Sequence, residues 1–425
     1  MLDMAFVREA PEIVKAAARN KGIEVDVDRL ILLDNLRRDC LRKIEVLRAE
    51  RNALSRTTAD APMEERRASN IRGGAIRREL ASLEPELRSV EAEIRELMLR
   101  LPAIPTADTP IGASTDSNVE VRMWGAIPHF SFTPKDHVQI GRALDIMEIE
   151  SAVAFAGARS YFLKGAGALL EQAVIRFARD WLIERGFLLL QVPLLVRDEA
   201  MTATGYFPLG RDEAFRVERD SLNLVGTSEV PLVSRWLNRT VCTSELPLRT
   251  CAVSPCFRRE VGAAGRDTKG LYRVHHFMKV EQVVVSQPDE AVSRSLHEEI
   301  LGNAEGIMQA LELPYRIVSV CTGEMGQGQV RKHDIEGWMP SRNSYGETHS
   351  CSSFHDFQAR RAGIRCSMED GRPSRFAYTL NCTAVASPRI LIPLLEVHQQ
   401  ADGTVRIPLA LRKYMADRSL LTPPA

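Results

Sequence analysis

The chain has 425 residues, 44% hydrophobic and 26% charged, enough for more than one buried core and unlike the make-up of a disordered chain. Lys+Arg and Asp+Glu each total 56, so no global field attracts a polyanion and any nucleic-acid contact must come from a local basic stripe. The opening MLDMAFVREAPEIVKAAARNKG lacks the apolar core of a signal peptide, and no apolar run approaches the ~20 residues of a membrane span. The eight cysteines (40, 242, 251, 256, 321, 351, 366 and 382) include no C-x-x-C pair, which predicts reduced thiols in a cytoplasmic protein without a disulfide frame or zinc site.

In chain order, the first clear signal runs over 27–101. Leu33, Leu36, Cys40, Ile44, Leu47 and Leu54 advance by threes and fours, interrupted by Arg51; Leu80, Leu83, Leu87, Val90, Ile94, Leu97 and Leu101 repeat the pattern. The spacing predicts two helices paired as an antiparallel α-helical coiled-coil hairpin, each arm ~40–50 Å long. The turn is expected between Thr57 and Met63, around Asp60 and Pro62, and Pro85 should bend the second arm or mark a local start. Exposed arginines crowd the hairpin: Arg37, Arg38, Arg42, Arg48, Arg51 and Arg56, then Arg66, Arg67, Arg72, Arg77 and Arg78. Those near the tip suit a phosphate backbone read by shape and charge; a solvated or dimerising coiled coil fits the same pattern.

The predicted domains are 1–102, a Pro/Gly/Ser/Thr-rich connector over 103–128, and a mixed domain over 129–425. In the last, 166–186 has helical spacing and is followed by the strand-like FLLLQVPLLV, with Pro193 inside it. Segments 222–225, 280–285, 315–320 and 364–366 read as strands of an antiparallel β-sheet flanked by helices, giving an α+β chain. There is no Walker A loop or Rossmann glycine fingerprint, so any ATP is held some other way.

Four segments carry the chemistry: Gly226–Glu229, Arg258–Glu281, Glu347–Arg361 and Thr379–Arg389. All are expected in strand-like settings on one sheet. The second reads as a long hairpin across a loop with Gly262, Gly265 and Gly270, with Arg258 on one strand and Arg273 and Phe277 on the other. Guanidinium forks bind phosphate oxygens and an aromatic face stacks a base, so these residues suit a nucleotide; a solvated charged hairpin is the competing reading. His275 and His276 have no further ligands at metal spacing, and neither they nor His333, His349 and His355 are expected in catalysis.

FRREVGAAGRDTKGLYRVHHFMKVE over 257–281, LVGTSEVPL, DIEGWMP, YGETHSCSSFHDFQARR and TLNCTAVASPRILIPLLEVHQQADGTVRIP resemble, in order and spacing, the motifs of seryl-tRNA synthetases, members of class II of the aminoacyl-tRNA synthetases. The resemblance covers essentially the whole chain. It implies a tRNA-binding N-terminal domain and a class II catalytic domain with motif 1 at about 166–195, motif 2 at about 256–282 and motif 3 at about 379–400. It also implies ATP, Mg²⁺, L-serine and tRNA(Ser) as ligands, tRNA(Sec) as a further acceptor, a homodimer formed through motif 1, and no DNA or membrane partner. Arg258, Arg389 and Glu347 are then the catalytic set. ATP falls to Arg258, Arg259, Glu260, Arg273, Val274, Phe277, Glu347, Thr348, His349, Ser350 and Arg389, with Mg²⁺ on Glu347 and Ser350. Serine falls to Thr227, Ser228, Glu229, Arg258, Glu281, Asn381 and Thr383.

The chain departs from the bacterial pattern at Cys382–Pro388, usually glycine-rich, at Ser353 and Phe354, and at His349, where a small residue is usual. These changes are expected to weaken ATP or serine affinity and point to a divergent or specialised paralogue. Two other readings stand beside the main one: a paralogue supplying seryl-tRNA to a secondary-metabolite pathway, and an RNA-binding paralogue without catalysis.

Overall fold

The computed structural model describes residues 1–57, 62–261, 270–368 and 373–424. The chain divides into two compact units, Met1–Pro102 and Ala103–Ala425.

In the first unit, α1 (Met4–Glu9) starts on Asp3, whose carboxylate accepts the Ala5 N–H at 2.8 Å, and α2 (Pro11–Asn20) opens on a proline, which has no N–H to leave unpaired. The long helices follow as α3 (Val27–Thr57) and α4 (Met63–Arg100). Their seam buries Ile44, Leu47, Ile76 and Leu80, with Leu54, Leu83 and Leu87 packed against them. At 1.5 Å per residue the helices run about 46 and 57 Å, the second longer than its apolar stripe because polar residues extend it to Met63. The expected turn at 58–61, with Asp60, lies outside the described residues. Pro85 sits inside α4 without ending it.

Leu36 breaks the stripe: it is exposed, whereas Asp34 is fully buried. Arg8 from α1 reaches Asp34 at 2.7 Å and Arg37 at 2.8 Å, so a buried carboxylate replaces an apolar seam residue and ties α1 to α3. Several basic side chains of the hairpin are paired: Arg42 with Asp39, Arg48 with Glu84, and Arg72 with Glu50 and Glu79. Among the described residues Arg38, Arg51, Arg56, Arg67, Arg77 and Arg78 have no ion pair and are exposed.

The second unit is built on an eight-stranded sheet. Its strands are β1 (Val119–Trp124), β2 (Leu188–Leu189), β3 (Leu248–Phe257), β4 (His276–Ser286), β5 (Tyr315–Ser319), β6 (Arg331–Met339), β7 (Ser344–His355) and β8 (Tyr378–Ser387), in the spatial order β1–β5–β6–β7–β8–β4–β3–β2. All pairs are antiparallel except β2 with β3. Pro193 splits the expected strand FLLLQVPLLV into two short pieces, Leu188–Leu189 in this sheet and Leu195–Val196 in another. Leu222–Leu224 and Arg365–Ser367 are strands, but of small separate sheets.

Helices α5 (Ala166–Ile183) and α6 (Glu290–Ala310) and the short helix Leu391–Val397 contribute Leu170, Val174, Leu182, Ile300, Ile307 and Leu394 to one core. From the strands the same core takes Val280, Val284, Cys351, Leu380, Cys382 and Ala384. Side chains alternate across a strand, so the intervening Lys279, Glu281, Asn381 and Thr383 project from the opposite face. That face holds the candidate site.

Candidate active site

Two β-bulges shape the site. The β6–β7 register moves from Ile335↔His349 to Glu336↔Glu347, leaving Thr348 unpaired. Residues three apart on a regular strand face opposite ways; the extra residue brings Glu347 and Ser350 to one face. The β4–β8 register moves likewise from Val280↔Val385 to Glu281↔Thr383, leaving Ala384 over and setting Glu281 directly across from Thr383.

At one end of this face lies a small polar pocket. Thr227 donates its hydroxyl to Glu281 Oε2 at 3.2 Å and accepts the Glu229 backbone N–H at 3.2 Å. Glu229 accepts from Gln358 Nε2 at 2.7 Å and from the Tyr206 hydroxyl at 3.1 Å. Gln358 is held by the Thr379 hydroxyl at 2.6 Å. Lys279, two residues before Glu281 on the same face, forms an ion pair with it. Thr227, Glu229, Lys279, Glu281, Asn381 and Thr383 are all buried. Burial, reinforced by the Glu281 charge, pushes the Glu229 carboxyl up to about 7. Once Glu229 is ionised, two carboxylates against one ammonium leave the pocket with excess negative charge, a setting for a ligand cation.

The expected strand at Gly226–Glu229 is instead a turn. Ser228 caps the short helix Glu229–Ser234, and its buried hydroxyl has no hydrogen-bond partner among the described residues.

Arg258 lies just beyond the end of β3 rather than on it. Its backbone N–H bonds the His275 carbonyl at 3.0 Å, and its Nε bonds the Gly226 carbonyl at 3.2 Å. Its guanidinium carbon stands 5.3 Å from the Phe277 ring centre on β4. Burial works against the charge, yet Tyr206, Cys256, Glu260 and Glu347 hold the Arg258 pKa above its ordinary value. Glu260 takes a left-handed backbone (φ 54°), and its carboxylate meets Arg273 at 3.2 Å and Arg159 at 3.8 Å. Val274 is buried beside Arg273. The loop 262–269, with Gly262 and Gly265, lies outside the described residues.

At the other end, Arg389 Nη1 lies 3.6 Å from the Glu347 carboxylate and 3.2 Å from its carbonyl oxygen. Arg389 Nε donates to the Tyr272 carbonyl at 3.2 Å, and its guanidinium carbon lies 4.5 Å over the Tyr272 ring. Burial would raise the Glu347 pKa, but Arg389, Lys332, Arg258 and Arg273 outweigh it, and Glu347 is held below the usual carboxylate range. Asp334, across the ladder from Ser350, is pushed up to about 6 by burial against the pull of Lys332 at 3.1 Å, and its Oδ1 has no partner among the described residues.

Three of the expected nucleotide residues are turned elsewhere. Arg259 is exposed and donates to the Asp212 carbonyl at 3.0 Å. Thr348, the bulge residue, has its hydroxyl 3.0 Å from the Ile335 carbonyl and 2.8 Å from His349 Nδ1, and its one proton serves one acceptor at a time. The His349 ring bridges Thr348 Oγ1 at 2.8 Å and the carbonyl of the other bulge residue, Ala384, at 3.0 Å, and burial lowers its pKa to about 4. It is a neutral buried clasp between the two bulges. Of the other departures, Cys382, Ala384 and Val385 enter the helix-side core, Thr383 faces the site, Ser353 meets Ser293 of α6 at 3.1 Å, and Phe354 packs on Phe357.

Sequence reasoning missed Tyr206, Gln358, Lys279, Asp334, Lys332, Tyr272 and Arg159. Strand alternation from Glu281 points to Lys279, and Gln358 stands inside the DFQARR run; nothing local marks Tyr206 or Arg159.

Residues 1–105 match the family described as the seryl-tRNA synthetase N-terminal domain, and 215–398 match the tRNA synthetase class II core domain (G, H, P, S and T). The serine–tRNA ligase of Deinococcus radiodurans is 46% identical over 424 residues, 100% of both chains. The structure of seryl-tRNA synthetase from Pyrococcus horikoshii complexed with ATP superposes with a TM-score of 0.92 at 36% identity, covering 100% of each chain. That of the cytoplasmic serine–tRNA ligase of Naegleria fowleri in complex with AMP gives 0.88 at 30% identity, covering 100% of this chain and 99% of the other.

Proposed function

We propose, from the premise that this chain belongs to the seryl-tRNA synthetase family of class II aminoacyl-tRNA synthetases, that it activates L-serine with ATP and transfers serine to tRNA(Ser). The observation that carries the amino-acid assignment is the buried Thr227–Glu281 bond beside Glu229, with Thr383 opposite Glu281. The negative pocket suits the serine ammonium, held by Glu229 and the Thr227–Ser228 turn. Glu281, Thr383 and Asn381 would bond its hydroxyl, so alanine would leave buried polar groups unpaired and be rejected strongly.

ATP would lie along the sheet face between Arg258 and Arg389. Phe277 offers its ring to the adenine, Glu260 and Val274 flank the base, Arg258 meets the α-phosphate, and Arg273 and Arg389 meet the polyphosphate. The serine carboxylate, already ionised, attacks the α-phosphorus; pyrophosphate leaves and seryl-adenylate remains. No general base is required, and Arg258 stabilises the charge developing on the phosphoryl oxygens. The 3′-terminal ribose hydroxyl of the tRNA then attacks the activated carbonyl and AMP leaves.

The oxygen donors of Glu347 and Ser350, brought to one face by the Thr348 bulge beside the orphaned Asp334 Oδ1, fit a hard cation such as Mg²⁺. Bound there, the ion would neutralise polyphosphate charge.

The hairpin of α3 and α4 would receive the tRNA through the unpaired arginines near its tip, by shape more than by sequence, which is compatible with tRNA(Sec) as a second acceptor. The exposed Leu169, Ile183, Leu188 and Leu189 on α5 and the edge strand β2 favour a homodimer through this face. No described helix is long and apolar enough to cross a membrane, and the reading places the protein in the cytoplasm.

The test is ATP–pyrophosphate exchange with serine, threonine, cysteine and alanine. Serine-dependent exchange that collapses in Arg258→Ala is the expected result. Folded protein with no exchange for any amino acid would overturn the proposal.

A further inference from the structure

Two buried side chains that touch no expected substrate position lie behind the Arg389 end of the site. His137 opens the helix His137–Ala143, and Glu396 belongs to the helix Leu391–Val397; both are buried, Glu396 completely. Glu396 Oε1 accepts the His137 backbone N–H at 3.0 Å and lies 2.9 Å from the ring Nδ1, while Oε2 accepts the Ser341 backbone N–H at 3.0 Å. The other ring nitrogen, Nε2, stands 3.2 Å from the backbone nitrogen of Leu271. A backbone N–H only donates and an ionised carboxylate only accepts. The two contacts together therefore require the neutral ring with its proton on Nδ1 and its lone pair on Nε2. Gly270, at φ 69°, packs so closely that a Cβ there would run into the His137 ring.

The consequences reach the candidate site by two routes. Fixing the Leu271 N–H fixes the start of Tyr272, whose carbonyl holds Arg389 Nε and whose ring lies under the Arg389 guanidinium. Fixing the Ser341 N–H places Arg342 next to it, and the Arg342 guanidinium carbon lies 4.3 Å over the same Tyr272 ring. One carboxylate thus sets both backbone segments that frame Tyr272, and Tyr272 aims Arg389, which also bonds Glu347.

We propose that Glu396 and His137 form a positioning relay that presets Tyr272 and Arg389 for the ATP polyphosphate. Neither residue touches substrate; both act through the backbone of Leu271 and Ser341. The proposal rests on Arg389 being a phosphate ligand, as the functional reading has it.

The test compares the full-length wild type with His137→Ala, His137→Gln and Glu396→Gln. It uses pyrophosphate exchange for the two Michaelis constants and calorimetry for ATP binding alone. His137→Ala is expected to raise the KM and Kd for ATP about tenfold, the scale of one buried unpaired donor. The KM for serine should stay within about twofold, because the serine pocket has separate supports. A glutamine amide can both donate to Glu396 and accept from Leu271, so His137→Gln should recover ATP affinity to within about threefold of wild type. Equal rises for serine and ATP in the alanine variant, or a folded glutamine variant that rescues nothing, would overturn the relay. Should His137→Ala fail to fold, Glu396→Gln decides: it turns one acceptor into a donor facing backbone N–H groups, and unchanged ATP affinity there refutes the relay. A wild type without serine-dependent exchange would sink the functional reading, while calorimetric ATP affinities would still decide the relay.

Discussion

Replacing Glu229 by glutamine should make the protein more stable and a poorer binder of serine. Glu229 is 6% exposed, and burial together with the Glu281 charge raises its carboxyl from 4.5 to about 7. A carboxyl whose folded pKa is raised is fully accommodated only below its unfolded pKa. Stability falls as pH climbs from about 4.5 to about 7 and is level thereafter, and a shift of this size amounts to ~3 kcal/mol. Glutamine keeps the shape, can accept from Gln358 and can donate to Tyr206, but it carries no charge. Its advantage over wild type in urea unfolding should be near zero at pH 4.5 and grow to about 3 kcal/mol by pH 8. In pyrophosphate exchange the same variant should lose serine affinity about 10- to 100-fold, the scale of a charge-assisted hydrogen bond, with the KM for ATP little changed. Equal stability of the two proteins at pH 8 would refute the burial argument, and an unchanged KM for serine would remove Glu229 from the ammonium site. The opposed signs separate this from a simple folding defect: the buried charge that destabilises the empty pocket is the one the proposal assigns to the ligand's cation.

Replacing Arg51, Arg56 and Arg67 together by alanine should leave serine-dependent exchange intact while weakening tRNA aminoacylation. The slope of log KM for tRNA against log salt should fall by roughly 2–3, one counterion term for each lost phosphate contact; an unchanged slope would remove these arginines from the RNA interface. In the same unit, Asp34→Ala leaves Arg8 and Arg37 facing an empty site. It should destabilise the unit by about 2 kcal/mol, less than the breaking of a fully buried pair because both guanidiniums are about one-third exposed. A loss below about 0.5 kcal/mol in chemical denaturation would show that the triad contributes nothing net.

The helical hairpin was legible because its signal is local: apolar residues three and four apart demand one buried face whatever lies around them. That rule failed at Leu36, since the exchange with Asp34 depends on Arg8, which comes from α1 and carries no periodicity. The expected strand through Pro193 failed for a local reason, the missing backbone donor. The placement of Leu222–Leu224 and Arg365–Ser367 in side sheets depends on partners that no short window contains. Motif likeness named Arg258, Glu281, Glu347 and Arg389 together with Arg259, Thr348 and His349; the side chains of the last three meet the Asp212, Ile335 and Ala384 carbonyls, partners that sequence position does not reveal.

The sequence by itself determined the two long helices, the α+β character of the remainder and the family, since each rests on spacing or motif order along one chain. The tertiary structure alone decided which residues meet. It set Glu347 beside Ser350 by one unpaired residue, gathered Tyr206, Gln358 and Lys279 around two buried carboxylates, and put Glu396 behind Tyr272 through His137. The physical reason is that register, bulges and buried charge balance are properties of pairs distant in sequence, and their energies exist only once those pairs are out of water together.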